Sequence, residues 1–309
     1  MISRPLARVR AFAKINRSLE VLGVRPDGFH ELRTVFQSIA LYDTIAIRAV
    51  PGAFQLTCGD PACPTDRRNL VWRAAEHVWK AAGRRGVPRD LSIHLTKRIP
   101  LQAGLGGGSS DAAAALRAFG RLWRVNPDRV RAIGSSLGAD IPYFFEGGTA
   151  LGLDRGDLLF PLIDAPRAWV VLVIPSFGVS TKEAFAWWDR DGARRLQASA
   201  SRSAKAPPSL ASRSQASARQ AFALQKRRLT NDLQGVVAKR HPAIGRLVRA
   251  LERAGASHAA MTGAGSAVFG LFSTRTGAER ATSLVSTRGS RTIVTRTVDR
   301  ATCQALAVT

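Results

Sequence analysis

Residues 100–113 read P-L-Q-A-G-L-G-G-G-S-S-D-A-A. Gly104, Gly106, Gly107 and Gly108 are followed by Ser109, Ser110 and an Ala-rich run. Glycine lets a backbone turn tightly and approach a ligand with no Cβ in the way. The pattern predicts a helix from Asp111 to Trp123, with Ser109 or Ser110 placed to cap it. A Gly-rich loop entering a helix presents unpaired N–H groups at the positive end of the helix dipole, which suits a phosphate. No Gly-Lys-Ser/Thr follows the spacer, so this is not a Walker loop. Ser109 stands where a dinucleotide fingerprint needs its third glycine. The ordinary alternative, a flexible turn before a helix, does not account for three consecutive glycines followed by two serines at a helix start.

The elements that must position this loop follow from periodicity. Leu91 to Lys97 alternates as L-S-I-H-L-T-K, a half-buried strand that delivers the chain into the loop. Strands are predicted at Leu6 to Ala13 and Arg17 to Val24, with a further extended region from Leu32 to Arg48. Asn69 can cap a helix to Ala82, and Pro127 behind Asn126 opens another to Leu137. After Asp140 the chain is expected to turn at Pro142, then form strands near Thr149 to Leu153 and Leu158 to Leu162. A second half starts near Pro166 with a strand at Ala168 to Ile174, then a helix after Ser180. Helices are expected from Asn231 and from Pro242 to Ala254. Strands at Ala256 to Met261, Ala267 to Phe272 and Arg291 to Val298 complete it. Strand and helix runs mix without strict alternation, which favours α+β layering over a doubly wound sheet. The expected domains are 1–163 and 164–309.

At 309 residues, 45% hydrophobic and 22% charged, the chain has globular composition and room for a large core. The apolar run from Ala168 to Ile174 is far too short to span a bilayer. The N-terminus has no apolar signal segment, so a cytoplasmic protein is expected. Cys58, Cys63 and Cys303 form no disulfide framework and no metal-ligand spacing. The net charge of +24 raises the question of nucleic acid. Nine of those charges lie between Arg194 and Arg228, where there is no acid and Phe222 is the single aromatic among the basic residues. Base stacking is therefore not indicated, and specific nucleic-acid binding is not expected. The segment 195–226, rich in Ala, Ser and Arg with Pro207 and Pro208, is predicted to be an inserted loop without a core of its own.

Three further segments accompany the Gly-rich loop. They are A-F-A-K-I-N-R-S-L-E-V-L-G-V-R-P-D-G-F-H-E from Ala11, S-L-G-A-D-I-P-Y-F-F-E-G-G from Ser136, and A-M-T-G-A-G-S-A-V-F from Ala260. In this order they resemble the GHMP small-molecule kinases. The resemblance covers nearly the whole chain except Arg195 to Lys226, with support from N-L-V-W-R-A-A at Asn69, G-V-S-T-K-E-A-F at Gly178 and N-D-L at Asn231. It implies a two-domain fold, an N-terminal domain like ribosomal protein S5 domain 2 and a C-terminal α/β sandwich, with the site in the cleft. The A-K-I-N, D-G-F-H and G-A-D-I-P pieces are most similar to the branch that works in non-mevalonate isoprenoid precursor synthesis. That branch transfers a phosphoryl group from ATP to the 2-hydroxyl of a cytidine-diphospho-methylerythritol.

The resemblance implies roles for named residues. Asp140 would take the hydroxyl proton, with Lys14 as its partner at the acceptor oxygen; a nearby ammonium would keep the carboxylate ionised. Gly104, Leu105, Gly106, Gly107, Gly108, Ser109 and Ser110 would hold the triphosphate, with Asn69 and Lys97 near the nucleotide. The serine hydroxyls can reach phosphate or magnesium, Ser110 being the candidate for the metal, whose ligands stay open. Asn16 would share the Lys14 face, because strand side chains repeat every two residues. Phe29 can stack on a pyrimidine and His30 can bond its edge. Phe185 is either the second wall or a core residue beside Trp188. Thr181, Gly263 and Gly265 complete the acceptor side. Taken singly, Asp140 reads equally as a turn aspartate and Lys14 as a solvated strand lysine. The rivals are a GHMP kinase for another alcohol, which should lack D-G-F-H beside A-K-I-N, and a nucleic-acid binder on this fold, which would show steep salt dependence.

Overall fold

The computed structural model describes residues 6–200, 230–286 and 289–305, with the side chains of residues 193–200 left aside. Most of the expected insert therefore lies outside the described residues. Its first part does not behave as expected. The helix after Ser180 runs from Thr181 to Ala200 (α5), so the helix continues past residue 195.

The first sheet is built around one long strand, β2 (His30–Ala53). Along one edge it pairs antiparallel with β1 (Ala7–Val24). Along the other it pairs first with β5 (Thr149–Asp154) and then with β4 (Arg89–Thr96). The edges are β3 (Gln55–Cys58), parallel to β4, and β6 (Leu158–Pro161). The two strands expected at 6–13 and 17–24 are thus one. Shifts of register at Phe12/Ala13, Asn16/Ser18 and Val21/Gly23 bend it without breaking its pairing. Helices α1 (Leu70–Ala81), α2 (Gly107–Leu122) and α3 (Pro127–Leu137) cover this sheet. Val71, Ala75 and Val78 of α1 and Ala112, Leu116 and Phe119 of α2 pack on Ile45, Ile47 and Ile93. The chain after Asp140 is not a bare turn but α4 (Ile141–Glu146), with Pro142 in its first turn, where a missing N–H costs nothing.

The second sheet has the order β10-β7-β9-β8, all antiparallel: β7 (Trp169–Pro175), β8 (His258–Met261), β9 (Val268–Phe272) and β10 (Ser290–Arg296). The apolar run in β7 exists because both of its faces are buried. Val171 and Val173 pack under α5, α6 (Asp232–Arg240), α7 (Pro242–Arg253) and α8 (Arg275–Val285). Val170 and Leu172 face the other way, against Ala13, Ile15 and Ile39 of the first sheet. The two sheets therefore share a buried seam, and the last helix, α9 (Arg300–Ala305), closes over Phe12. This is an α+β molecule of two sheet-and-helix layers. Strand β3 and helices α8 and α9 lie beyond the expected elements, although Thr274 caps α8 by accepting from Gly277 N and Asp299 accepts from Thr302 N at the start of α9. The cysteines Cys58, Cys63 and Cys303 are free.

Candidate active site

Helix α2 starts four residues earlier than its apolar periodicity implies. Its N-cap is Gly106, at φ +71°, and no side chain caps it. Ser109 and Ser110 lie inside the first turn instead of capping it. Glycine at 106–108 leaves the backbone free to enter the helix early, so the N–H groups of Gly107, Gly108 and Ser109 have no intrahelical acceptor and stay available to an anion. The first internal bond runs from Ser110 N to Gly106 O, 2.9 Å.

The loop before this helix is held on both sides. Lys14 N donates to Leu105 O at 3.0 Å, and Ala267 N donates to Ala103 O at 3.3 Å. The second glycine turn, Gly263 to Gly265, lies directly against Gly104. Asn231 braces that turn by donating to Met261 O at 2.7 Å and Gly263 O at 2.9 Å. The sequence held a signal for Asn231, the N-D-L piece, but not for this contact.

A cleft of about 870 Å³ opens between this loop, β1, β2 and α5. Lys14, Asn16, Phe29, His30, Lys97, Gly104 to Ser109, Asp140, Thr181, Phe185 and Gly263 line it together. Lys14 is buried, donates to Asn16 Oδ1 at 2.6 Å and stands 3.8 Å from Asp140 Oδ2. Burial lowers the Lys14 pKa, while Asp140 acts to raise it. Asn16 is fixed in turn: its amide donates to Thr34 Oγ1 at 2.7 Å, and its backbone N–H donates to Thr262 Oγ1 at 3.0 Å. Asp140 precedes α4 without capping it, and its side chain is 41% exposed, so the carboxylate is free to meet a substrate. Arg117 of α2 donates to the carbonyls of Phe144 and Phe145 at 2.8 and 2.6 Å, which ties α4 to α2.

At the other end of the cleft Phe29 is exposed, with the Arg155 guanidinium 5.3 Å from its ring centroid. Phe185 stacks on His30 at 4.4 Å, so it packs partly in the core and partly along the wall. Arg155, Lys182 and Asp189 also line this end; Lys182 lies in the G-V-S-T-K-E-A-F piece, and no motif contains Arg155 or Asp189.

Three expected site residues sit differently. Asn69 caps α1, accepting from Val71 N at 2.9 Å and donating to Pro64 O at 2.7 Å, and does not line the cleft. Ser110 is buried and donates its hydroxyl to Phe12 O at 2.7 Å. Gly265 is packed behind Gly263 against the Ala103–Gly104 backbone. Lys97 reaches the cleft, but its ammonium is engaged by Asp43 and, at 2.7 Å, by Asp111. Asp43 also accepts from Arg98 N and from Ile99 N at 2.9 Å, which fixes the turn into the loop.

Burial pushes the Asp111 carboxyl up to about 8, against the pull of Lys97. Burial also works to lower Lys97, but Asp111 and Asp43 outweigh it and raise it. With a proton on Asp111 the triad adds no excess negative charge beside the loop. This has a consequence for stability. In the unfolded chain Asp111 titrates near about 4. Between that pH and about 8 the folded state binds the extra proton, so this group's contribution to stability falls as pH rises through the window. Asp111→Asn cannot titrate, and its melting temperature should vary less than wild type between about pH 5 and 8. Thermal denaturation across that range checks it; parallel curves would refute it.

The two-sheet α+β fold, with a helix N-terminus free of side-chain caps and a buried lysine beside an open carboxylate in one cleft, is that of a small-molecule kinase of the GHMP type. Residues 69–148 match the family described as the GHMP kinases N terminal domain, and residues 210–290 match the GHMP kinases C terminal family. The chain is 44% identical over 287 residues to 4-diphosphocytidyl-2-C-methyl-D-erythritol kinase of Solibacter usitatus (strain Ellin6076), covering 90% of this chain and 85% of that one. It is 39% identical over 291 residues to the protein of the same name from Geobacter sp. (strain M21), covering 93% and 97%. The chain belongs to the 4-diphosphocytidyl-2-C-methyl-D-erythritol kinase family. A crystal structure of 4-(cytidine 5'-diphospho)-2C-methyl-D-erythritol kinase matches with TM-score 0.72 at 30% identity, over 94% of this chain and 98% of that one. A homoserine kinase from Cytophaga hutchinsonii shares the fold, with TM-score 0.63 at 18% identity, over 97% of each chain. The C-terminal family match begins at residue 210, inside the expected insert. No described helix is long and apolar enough to cross a membrane.

Proposed function

We propose that this chain transfers the γ-phosphoryl group of ATP to the 2-hydroxyl of 4-diphosphocytidyl-2-C-methyl-D-erythritol, in isoprenoid precursor synthesis in the cytoplasm. The observation that carries the reading is the meeting, in one cleft, of Lys14 and Asp140 with the uncapped start of α2 and with Phe29 and His30. The triphosphate lies along Gly104 to Ser109, with its anionic oxygens on the free N–H groups. The base of the acceptor lies at the Phe29 end. Its 2-hydroxyl then comes between Lys14 and Asp140. The hydroxyl oxygen bonds to the γ-phosphorus, the bond to the bridging β–γ oxygen breaks, ADP leaves, and Asp140 takes the hydroxyl proton. The Lys14 ammonium stabilises charge on the acceptor oxygen. Asn16 holds that ammonium in place.

A magnesium ion bound with the nucleotide would neutralise charge on its phosphates. Among the described residues no group of three or more His, Cys, Asp or Glu could hold a metal. Ser110 spends its hydroxyl on Phe12 O. Phosphate oxygens and water would supply most of such an ion's ligands, and none of the steps above depends on a protein ligand to it.

Phosphoryl transfer from ATP to the cytidine-diphospho acceptor, measured against mevalonate, homoserine and galactose, tests the reading. Turnover of one of the other alcohols, and not of the cytidine compound, would overturn it. Phe29→Ala should raise the acceptor KM and leave that of ATP nearly unchanged. Loss of one stacking wall is worth roughly 1–3 kcal/mol. A fall in ATP affinity instead would put Phe29 at the wrong end of the cleft.

A further inference from the structure

Asp189 is a carboxylate at the acceptor end of the cleft that the reaction above does not use. It stands four residues after Phe185 on α5, so the two side chains share one face of the helix. Facing them is His30, at the start of β2. Its ring lies flat against Phe185, with centroids 4.4 Å apart and planes 23° apart. Trp188 meets the same ring edge-on, at 5.8 Å and 88°. His30 Nε2 lies 2.7 Å from Asp189 Oδ1. The imidazole is thus fixed by one face, one edge and one nitrogen.

The chemistry of the pair assigns the proton. An ionised carboxylate can only accept, so Nε2 carries the hydrogen. When neutral, the imidazole has one N–H, which leaves Nδ1 as an acceptor. Nδ1 makes no hydrogen bond among the described residues, and His30 lines the cleft. Cytosine and uracil differ where such an atom can read them. Cytosine presents an amine that donates, and uracil presents a carbonyl that accepts. An acceptor nitrogen pairs with the amine and turns its lone pair against the carbonyl. A site built to make a hydrogen bond to one substrate discriminates against a near-isostere that leaves that bond unmade.

We propose that Asp189 is the positioning residue that holds His30 as a hydrogen-bond acceptor and thereby makes this kinase select cytosine over uracil. This rests on the reading of the acceptor as a cytidine diphosphate compound. Asp189 touches no reacting atom, and its effect passes entirely through the His30 ring.

The experiment compares kcat/KM for the cytidine-diphospho acceptor with that for its uridine-diphospho analogue, in wild type, Asp189→Asn and Asp189→Ala. The asparagine amide can donate to Nε2 as well as accept from it, so it no longer enforces one tautomer. The outer hydrogen-bond partner of a metal-ligating histidine is typically worth about 10–100-fold, and a loss of that order is expected here. The cytidine-to-uridine ratio should fall by about that much in both variants, through the acceptor KM, with the ATP KM unchanged. Nitrogen-15 spectra of the His30 ring should show the proton on Nε2 in wild type and a shift towards Nδ1 in Asp189→Asn. Asp189→Asn keeps the shape of the side chain, so it reports even if the alanine variant folds poorly. A wild type that turns over neither acceptor refutes the reading and the proposal together. A wild type that prefers cytidine, with variants that prefer it equally, overturns the proposal alone. A wild-type spectrum with a proton on Nδ1 overturns it as well.

Discussion

Asp140→Asn should turn over about 10²–10⁴-fold more slowly, which is the usual cost of removing a general base. The loss should fall on kcat, with the KM values for ATP and acceptor little changed, because the carboxylate acts mainly in the transition state. The substitution keeps the shape of the side chain but cannot take the hydroxyl proton. The rival role for this residue is a structural one at the start of α4. It makes a different prediction, a lower melting temperature with kcat intact. The geometry already weighs against it. Asp140 sits at the N-cap with φ −78° and ψ −16°, and its side chain makes no capping bond. The far end of α4 is held independently by Arg117. Melting temperature should therefore move little. Lys14→Met should also cut kcat. The ammonium and the carboxylate are 3.8 Å apart, so the double variant should be far less impaired than the product of the single effects. Near-normal turnover by Asp140→Asn would remove the proposed mechanism.

Gly104→Ala should unfold readily, while Gly108→Ala should not. Both glycines belong to the same loop and differ by four positions. Gly104 has φ +76°, and a Cβ there would be driven into the carbonyl oxygen of Thr262, with Gly265 N at 3.1 Å. The left-handed backbone costs a non-glycine residue about 1–3 kcal/mol. Forcing apart two backbones costs about 1–3 kcal/mol more. The sum, roughly 2–6 kcal/mol, is a large part of a typical domain's stability. The blocking atom is backbone, so no side chain can move aside. At Gly108 a Cβ meets nothing within 4 Å, and the residue lies in the first turn of α2. Alanine there should match or slightly exceed wild type in stability, since glycine within a helix is worth about 0.5–1 kcal/mol less than alanine. Paired thermal melts decide the matter. Equal melting temperatures for the two variants would mean that the glycine turns are not packed as described.

Much of the chain's local structure was legible because its signals act within a few residues. Asn69, Asn126 and Asn231 each cap a helix where a short polar residue precedes a helical run. The alternation in 91–97 became β4, and the unbroken apolar run in 168–174 became a strand buried on both faces. Errors arose where two local signals competed. Pro142 after Asp140 reads as a turn, yet the same proline suits the first turn of a helix, and packing on α2 favoured the helix. Ser109 and Ser110 read as caps, yet three glycines let the helix begin before them.

The sequence alone determined that a glycine loop meets a helix start, that Lys14 and Asn16 share a strand face, and that Phe29 and His30 stand side by side. Each depends on spacing along one element. Only the tertiary structure decided what those groups touch. Lys97 meets Asp43 across 54 residues, His30 meets Asp189 across 159, and Asn16 N meets Thr262 across 246. A charged or polar side chain has many possible partners in an unfolded chain. Which one it keeps follows from how the two sheets pack along their shared apolar seam, because burial makes an unpaired polar group too costly to leave unmatched.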